Sequence, residues 1–337
     1  MVHELLGIGN NRVSLASVPG VAKELQEIVL SPEHDEFYAA NMYSNFGDIG
    51  NNIKNLMEEF QAKSKSHQKV ESIADMKTFI ESYPQFKKMS GTVAKHVTIV
   101  GELSRLVGAH ALLDVSEVEQ ELACQSDHSL ALQKVKSLFA NPKVRDMDLV
   151  RVAMLYALRY EKHSSNEIAN LVDALAKKGV GERSRRLVPM VLDYGGVKAR
   201  GADLFGAEHP MAITKKFFKG LKGVDNIYTQ HKPLLVDTLE ELIRGKGLRE
   251  SQFPYLGNSQ MRDVPQDVVV YVVGGTTYEE SCAIQAFNKL NPAHRVILGG
   301  NHVHNFKSFA EEMTQSMQGV PQKTSAALPC GKNASHW

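Results

Sequence analysis

A proline separates two long helical patterns in the segment Tyr83-Pro84-Gln85-Phe86-Lys87-Lys88-Met89. On each side of it, apolar residues recur in steps of three and four, which is the spacing of one face of an α-helix. The apolar residues before the proline are Met42, Phe46, Ile49, Ile53, Met57 and Phe60, and those after it are Phe86, Met89, Val93, Val97, Val100, Leu103 and Val107. The pattern predicts a helical hairpin that can present a seam to another helix.

The hairpin is predicted to contain a first long helix over residues 34–63, a polar loop over 63–69 and further helices over 70–82 and 85–112. Pro84 has no backbone N–H and its ring obstructs the preceding turn, so we predict a break or kink there. Periodicity leaves two interpretations of the seam open. Its apolar residues can pack the two helices on each other, or they can form a face that binds a partner helix.

Composition is that of an ordinary soluble globular protein. The chain has 337 residues, a net charge of +1, 43% hydrophobic and 23% charged residues. The near-zero charge gives no electrostatic bias toward nucleic acid. We find no apolar run of roughly eighteen residues, the length of a membrane helix, and no signal peptide. The odd, widely spaced cysteines Cys124, Cys282 and Cys330 predict reduced thiols in a cytoplasmic protein.

The sequence changes character after Pro265. The β-branched run over residues 268–273 predicts a strand that is covered on both faces, and Gly274-Gly275 predicts a sharp turn after it. A helix over 278–290 that begins with the capping box Thr277-x-x-Glu280, a strand over 295–298 and a helix over 304–315 complete a parallel βαβα unit. Further helices are predicted at about 21–30, 129–140, 146–161, 181–193 and 232–244, and residues 317–337 are predicted to be a disordered tail. The helix over 146–161 is apolar almost all round and is therefore predicted to be buried.

Three features could carry chemistry. The Gly274-Gly275 turn followed by a helix could cradle a phosphate, but it lacks the dinucleotide and P-loop glycine patterns. Histidines 294, 302 and 304 lie near one another without a zinc-binding spacing. Basic clusters at Arg183, Arg185, Arg186 and at Lys215, Lys216, Lys219, Lys222 resemble phosphate-binding patches, but a solvated surface explains them equally well. We therefore predict no catalytic residue, no cofactor and no metal, and keep a nucleotide-binding enzyme at Gly274-Gly275 as the alternative.

Long stretches of the chain resemble the Sec/Munc (SM) family of SNARE regulators. The resemblance is carried by residues 73–90, 100–103, 118–124, 154–158, 228–231, 254–257 and 274–280, and it covers about residues 1–315 in order. It is strongest to a family member that serves trans-Golgi and endosomal fusion. The chain is thereby identified as a member of this family.

The resemblance implies a mainly α fold with a small α/β part. It assigns residues 1–33 to a domain 2 remnant and linker, 34–115 to the helical hairpin called domain 3a, 116–250 to the helical domain 3b, 251–316 to the C-terminal part of the α/β domain 2, and 317–337 to the tail. It implies a hinge at Pro84 and a SNARE-binding face formed by Phe86, Met89, Val93, Val97, Val100, Leu103 and Val107.

The implied function is non-enzymatic. Syntaxin-type Qa-SNARE and R-SNARE helices are the expected partners, nucleic acid is not, and association with Golgi and endosomal membranes is expected to be peripheral and through those partners. Family members begin with an α/β domain 1 and the first half of domain 2, which have no counterpart in this sequence. The resemblance therefore implies a short isoform, an internal-start product or a fragment, with syntaxin capture through domain 1 lost.

Overall fold

The computed structural model describes residues 2–8, 11–68, 73–124, 127–200, 227, 228, 230–256 and 263–318. The fold is mainly α with a small α/β part, as predicted from the resemblance. The lysine cluster at 215–222 and all but the first two residues of the predicted tail lie outside the described residues. None of the helices in the described ranges combines the length and apolar character that spanning a bilayer requires.

The helices are numbered in chain order: α1 (Val2–Leu5), α2 (Glu36–Asn41), α3 (Phe46–Gln68), α4 (Ile73–Ala109), α5 (Leu112–Cys124), α6 (His128–Ala140), α7 (Asp146–Tyr160), α8 (Ile168–Lys177), α9 (Glu182–Arg185), α10 (Leu187–Gly195), α11 (Val197–Arg200), α12 (Leu234–Glu241), α13 (Tyr278–Leu290) and α14 (Phe306–Ser316). The strands are β1 (Arg12–Ser14), β2 (Glu27–Val29), β3 (Asp267–Val272), β4 (Thr276–Thr277), β5 (Arg295–Gly300) and β6 (Val303–His304). A π-helical turn, Leu242–Lys246, extends α12.

Helices α5 to α10 form the main hydrophobic core around α7. Val150, Val152 and Tyr156 of α7 are fully buried, which confirms the prediction of a buried helix in this region. Met313 of the C-terminal helix α14 packs into the same core. The core of this helical body is thus completed by α14, a helix that is distant from it in sequence.

Helices α3 and α4 form the hairpin and pack along each other. Two predictions for it were wrong in detail. The first helix is not continuous from residue 34, because α2 ends at Asn41 and Asn45 begins α3 by accepting a hydrogen bond from the Asp48 N–H at 2.9 Å. Residues 63–68, predicted as a loop, belong to α3.

Pro84, where a break or kink was predicted, does not break the helix. α4 runs as one helix of 37 residues with Pro84 inside it. An interior proline costs roughly 3 kcal/mol because it removes one hydrogen bond and crowds the preceding turn. Packing along α3, including Phe60 stacked on Phe86 with ring centroids 5.2 Å apart, offsets that cost.

The base of the hairpin is anchored by a small antiparallel sheet. β1 pairs with β2, and the residues in and beside these strands, Val13, Leu15, Ile28 and Leu30, bury Ile99 and Leu103 of α4. The predicted helix over 21–30 is therefore wrong: the segment forms a short 3-10 turn over Lys23–Leu25 and then β2. Pairing with β1 outweighed the local helical pattern.

The helix α1 joins the three parts of the molecule. Val2 and Leu5 pack on the cluster at the hairpin base, and Glu4 accepts a hydrogen bond from Arg151 of the helical body at 3.3 Å. The His3 carbonyl accepts a hydrogen bond from Asn305 Nδ2 at 2.9 Å, and the imidazole ring of His3 stacks on Tyr278. Burial of this ring lowers the pKa of His3 to about 4, so it is neutral at pH 7.

The α/β part contains the predicted parallel pair of strands. β3 and β5 pair with Val268 opposite Val296, and α13 packs on the face that carries Val268, Val270 and Leu298. The opposite face is not covered by any described residue to the same extent: Val269 is 72% exposed and Tyr271 61% exposed. The predicted burial of this strand on both faces is therefore wrong for the part of the chain that the structure describes.

Replacing Pro84 should strengthen the middle of α4. Pro84 lacks the N–H that would bond to the carbonyl of Ile80, so Pro84→Ala restores a donor and relieves the steric clash. We expect amides at residues 78–88 to exchange with solvent at least tenfold more slowly in Pro84→Ala, measured by hydrogen–deuterium exchange. Amides of α7 serve as the internal control. Equal exchange in α4 would mean that Pro84 is not a point of weakness.

Candidate functional site

The predicted seam on α4 changes from half-buried to fully buried along its length. Phe86, Met89, Val93, Val97 and Val100 are partly buried. Phe86 stacks on Phe60 of α3, so this ring contributes to packing within the hairpin. The middle of the seam therefore keeps some accessible apolar surface beside its packing role.

The last two seam residues lie in the interior. Leu103 is 3% exposed in the cluster at the hairpin base, and Val107 is also buried. Both side chains are thus taken up by packing inside the molecule, which is the first of the two interpretations that periodicity left open. A partner helix has access only to the seam residues before them.

A polar group that sequence analysis missed lies beside the seam. His96 Nε2–H donates to Asp35 Oδ2 at 2.8 Å, and the Lys95 ammonium contacts the same carboxylate. Asp35 also accepts from the Tyr38 N–H at 2.9 Å and so caps α2. The Asp before the Glu36-Phe37 start of a helix was a detectable cap signal, but no local pattern pairs it with His96, which is 61 residues away.

Burial determines the protonation of this group. It lowers the pKa of His96, and this outweighs the opposing effect of Asp35. Burial alone would raise the pKa of Asp35, but Lys95, the Tyr38 N–H and His96 together hold it below its usual value. At pH 7 the carboxylate is therefore balanced by Lys95, and His96 is neutral.

The Gly274-Gly275 turn is occupied by internal hydrogen bonds. Both glycines have positive φ (99° and 128°), and a side chain at Gly275 would collide with His304 Nε2. The N–H of Gly274 donates to Asn301 Oδ1 at 3.0 Å, and the N–H of Gly275 donates to the Val272 carbonyl at 3.2 Å. These donors are not available to a phosphate.

The helix that follows is capped by its own residues. Thr277 and Glu280 form the predicted capping box, and Glu280 Oε2 also accepts from Thr276 Oγ1 at 2.8 Å. The carboxylates of Glu279 and Glu280 in the first turn would repel a bound phosphate. This geometry does not support the nucleotide-binding alternative.

The other candidate groups also have structural partners. His304 Nε2–H donates to the Gly274 carbonyl at 2.8 Å, and His294 Nδ1 lies 2.8 Å from the Pro265 carbonyl. The described residues contain no group of three or more His, Cys, Asp or Glu placed to hold a metal ion. In the basic cluster, Arg185 donates to the Val180 carbonyl at 2.9 Å, and Arg186 lies 3.8 Å from Glu182.

A long helical hairpin mounted on a helical body, with a small parallel α/β part, defines the class of protein. The chain matches the Sec1 family over residues 1–312 and belongs to it. It is 62% identical to vacuolar protein sorting-associated protein 45 of Rattus norvegicus over 317 residues, which is 94% of this chain and 55% of the relative. The chain thus spans about half the length of the curated relatives that it matches.

Solved structures agree with this assignment. One described as "SM Protein Vps45 in Complex with Qa SNARE Tlg2 (1-310)" superposes with a TM-score of 0.84 at 46% identity and covers 96% of this chain and 56% of that chain. The Unc18–syntaxin 1 complex from Monosiga brevicollis has a TM-score of 0.66 at 18% identity over 93% of this chain and 56% of that chain. At that identity the likeness shows the fold alone.

The burial of Leu103 predicts a large effect on stability. Leu103→Ala removes a buried side chain and leaves a cavity at the hairpin base, so we expect it to lower the free energy of unfolding by about 2–5 kcal/mol. Ile80→Ala on the exposed face of the same helix is the matched control, with an expected change within about 0.5 kcal/mol. Urea unfolding followed by circular dichroism measures both. Similar effects of the two changes would contradict the assignment of Leu103 to the core.

The His96 group predicts a pH dependence. In the unfolded chain His96 binds a proton at about pH 6.5, but in the fold its pKa is lower. As the pH falls below about 6.5 the unfolded state therefore takes up more protons, and stability decreases. We expect the melting temperature to fall more steeply from pH 7 to 5.5 in the wild type than in His96→Gln, which keeps a donor toward Asp35. An equal fall in the melting temperature of the wild type and of His96→Gln would contradict a lowered pKa of His96.

Proposed function

We propose that this chain is a non-enzymatic SNARE-binding regulator of vesicle docking and fusion in trans-Golgi and endosomal trafficking. The observation that carries the proposal is the 46% identity and TM-score of 0.84 to an SM protein that was solved in complex with a Qa SNARE. Membership of the Sec1 family supports the same function. The chain would act in the cytoplasm, on the surface of Golgi and endosomal membranes, through its SNARE partners.

The hairpin is the proposed binding unit. Its partners are syntaxin-type Qa-SNARE and R-SNARE helices, which it would align as a template for assembly. The accessible part of the seam, from Phe86 to Val100, offers apolar side chains at helical spacing to a partner helix. Pro84 is the proposed hinge, and an uninterrupted helix through it would be its extended state.

The rest of the chain is proposed to carry the hairpin. We propose that residues 34–115 form the binding hairpin, 116–250 the helical body, 251–316 the α/β part, 1–33 the segment that links them and 317–337 a tail. The helix α1 contacts the hairpin base, the body and the start of α14. These contacts support a linking role for residues 1–33, because they join parts that are distant in sequence.

The seam is tested by charge insertion. We expect Val93→Asp/Val100→Asp to reduce binding to the cytosolic part of the Qa SNARE Tlg2 at least tenfold, because a carboxylate would be buried in the apolar contact. Val93→Thr/Val100→Thr keeps the shape and should weaken binding less. Isothermal calorimetry gives the affinities, and circular dichroism checks the fold.

The control is Leu130→Asp, which places one carboxylate on an exposed apolar residue of α6 in the helical body. It should leave binding unchanged. Equal affinity of the control and of a folded Val93→Asp/Val100→Asp variant would show that the seam is not the SNARE contact. Absence of binding by the folded wild type would contradict the proposed function itself.

A further inference from the structure

One face of the parallel sheet formed by β3 and β5 is apolar, and the described residues leave it open. Side chains alternate along a strand, so Val269 and Tyr271 of β3 point to the same face as Ile297 of β5, which is 48% exposed. Val273, directly after β3, continues this line and is 86% exposed. Contiguous apolar side chains that are this exposed mark an interaction surface.

An ion pair lies at one end of this open face. Arg295 Nε donates to Asp267 Oδ1 at 2.7 Å, and both side chains remain largely exposed. The two residues lie directly opposite each other in the register of the strands, at the first position of each strand. The two strands therefore carry charges of opposite sign at the same end of the open face.

A large and a small residue lie opposite each other farther along the strands. Tyr271 of β3 is in register with Gly299 of β5, and a β-carbon added at Gly299 would lie 3.7 Å from Tyr271 Cδ2. A glycine within a strand leaves room for another chain to approach closely. The open face thus has a bulky aromatic side chain on one strand and a depression beside it on the other.

These pairs make the open face complementary to itself. Consider a two-fold axis that lies between two stacked sheets and runs parallel to their strands, which places β3 of one copy over β5 of the other. The residues that then face each other across the axis are Asp267 and Arg295, Val269 and Ile297, and Tyr271 and Gly299. Stacked sheets lie about 10 Å apart and cross at about 30°, so over strands this short these positions stay within reach of one another.

We propose that the open face binds a second copy of this chain, in a two-fold symmetric dimer whose β3–β5 sheets stack with β3 over β5. Charge selects this occupant. An apolar face alone would accept many partners, whereas Asp267 and Arg295 in register form an ion pair with each end of an identical face. The proposal is independent of the proposed function, because the open face and the seam on α4 belong to different elements.

Analytical ultracentrifugation of the full chain tests the apolar contact. We expect the wild type to approach twice the mass of one chain as its concentration rises. Val269→Asp/Ile297→Asp should raise the dimer dissociation constant by roughly tenfold or more, since unpaired carboxylates would be buried. The matched control is Leu113→Asp/Leu130→Asp, which adds the same charge at exposed leucines of α5 and α6 and should dimerise like the wild type.

Charge reversal tests the alignment of β3 over β5. Asp267→Arg gives a face with two cations and Arg295→Asp gives a face with two anions, so each variant alone should dimerise several-fold more weakly than the wild type. An equimolar mixture of the two should restore dimerisation, because every cation then meets an anion across the axis. The differences should shrink at high salt. Both positions are exposed, so these variants are informative even if the apolar variant does not fold.

The outcomes separate this proposal from the proposed function. A wild type that stays monomeric at every concentration overturns the dimer, and so does a dimer that persists in folded Val269→Asp/Ile297→Asp. A charge-reversed mixture that dimerises no better than its components overturns the alignment. If the wild type is monomeric and the folded Val269→Asp/Ile297→Asp variant loses binding to the cytosolic part of Tlg2, the open face binds a SNARE instead and the proposed function stands. A dimeric wild type that does not bind Tlg2 contradicts the proposed function and supports the dimer.

Discussion

The burial of Ile99 and Leu103 at the hairpin base positions the rest of α4. These two residues of α4 pack into the cluster formed by Val13, Leu15 and Ile28, and His96 adds a hydrogen bond to Asp35 nearby. A helix of 37 residues is long enough to carry its far end well away from the body. The direction of α4 is therefore set by packing and polar contacts at the base.

Sequence patterns predicted the elements that depend on local signals. The buried helix α7, the capping box at Thr277 and the parallel pair of strands were all predicted, because periodicity, caps and β-branched runs act within a few residues. β2 was not predicted, because its strand conformation depends on pairing with residues 12–14. The helix through Pro84 was not predicted either, because packing on α3 offsets a local preference for a break.

The candidate site was predicted only in part for the same reason. An apolar seam has the same spacing whether it packs inside the molecule or binds a partner, so periodicity could not show that Leu103 is buried while Val93 keeps accessible surface. The exposure of Ile80 was not predicted either, because its spacing from Met76 and Tyr83 is also that of a buried helix face. Likewise, the run containing Val269 and Tyr271 has the composition of a strand covered on both sides, and only the structure shows one side exposed.

Pro84 connects these observations physically. The proline leaves the Ile80 carbonyl without its helical donor at the point where the accessible seam begins. The seam continues into the outer part of α4 only because the helix passes through this weak point, which lies beyond the anchored base. A partner helix that spans the proline binds the straight form better than a bent one, so its binding would itself favour the continuous helix.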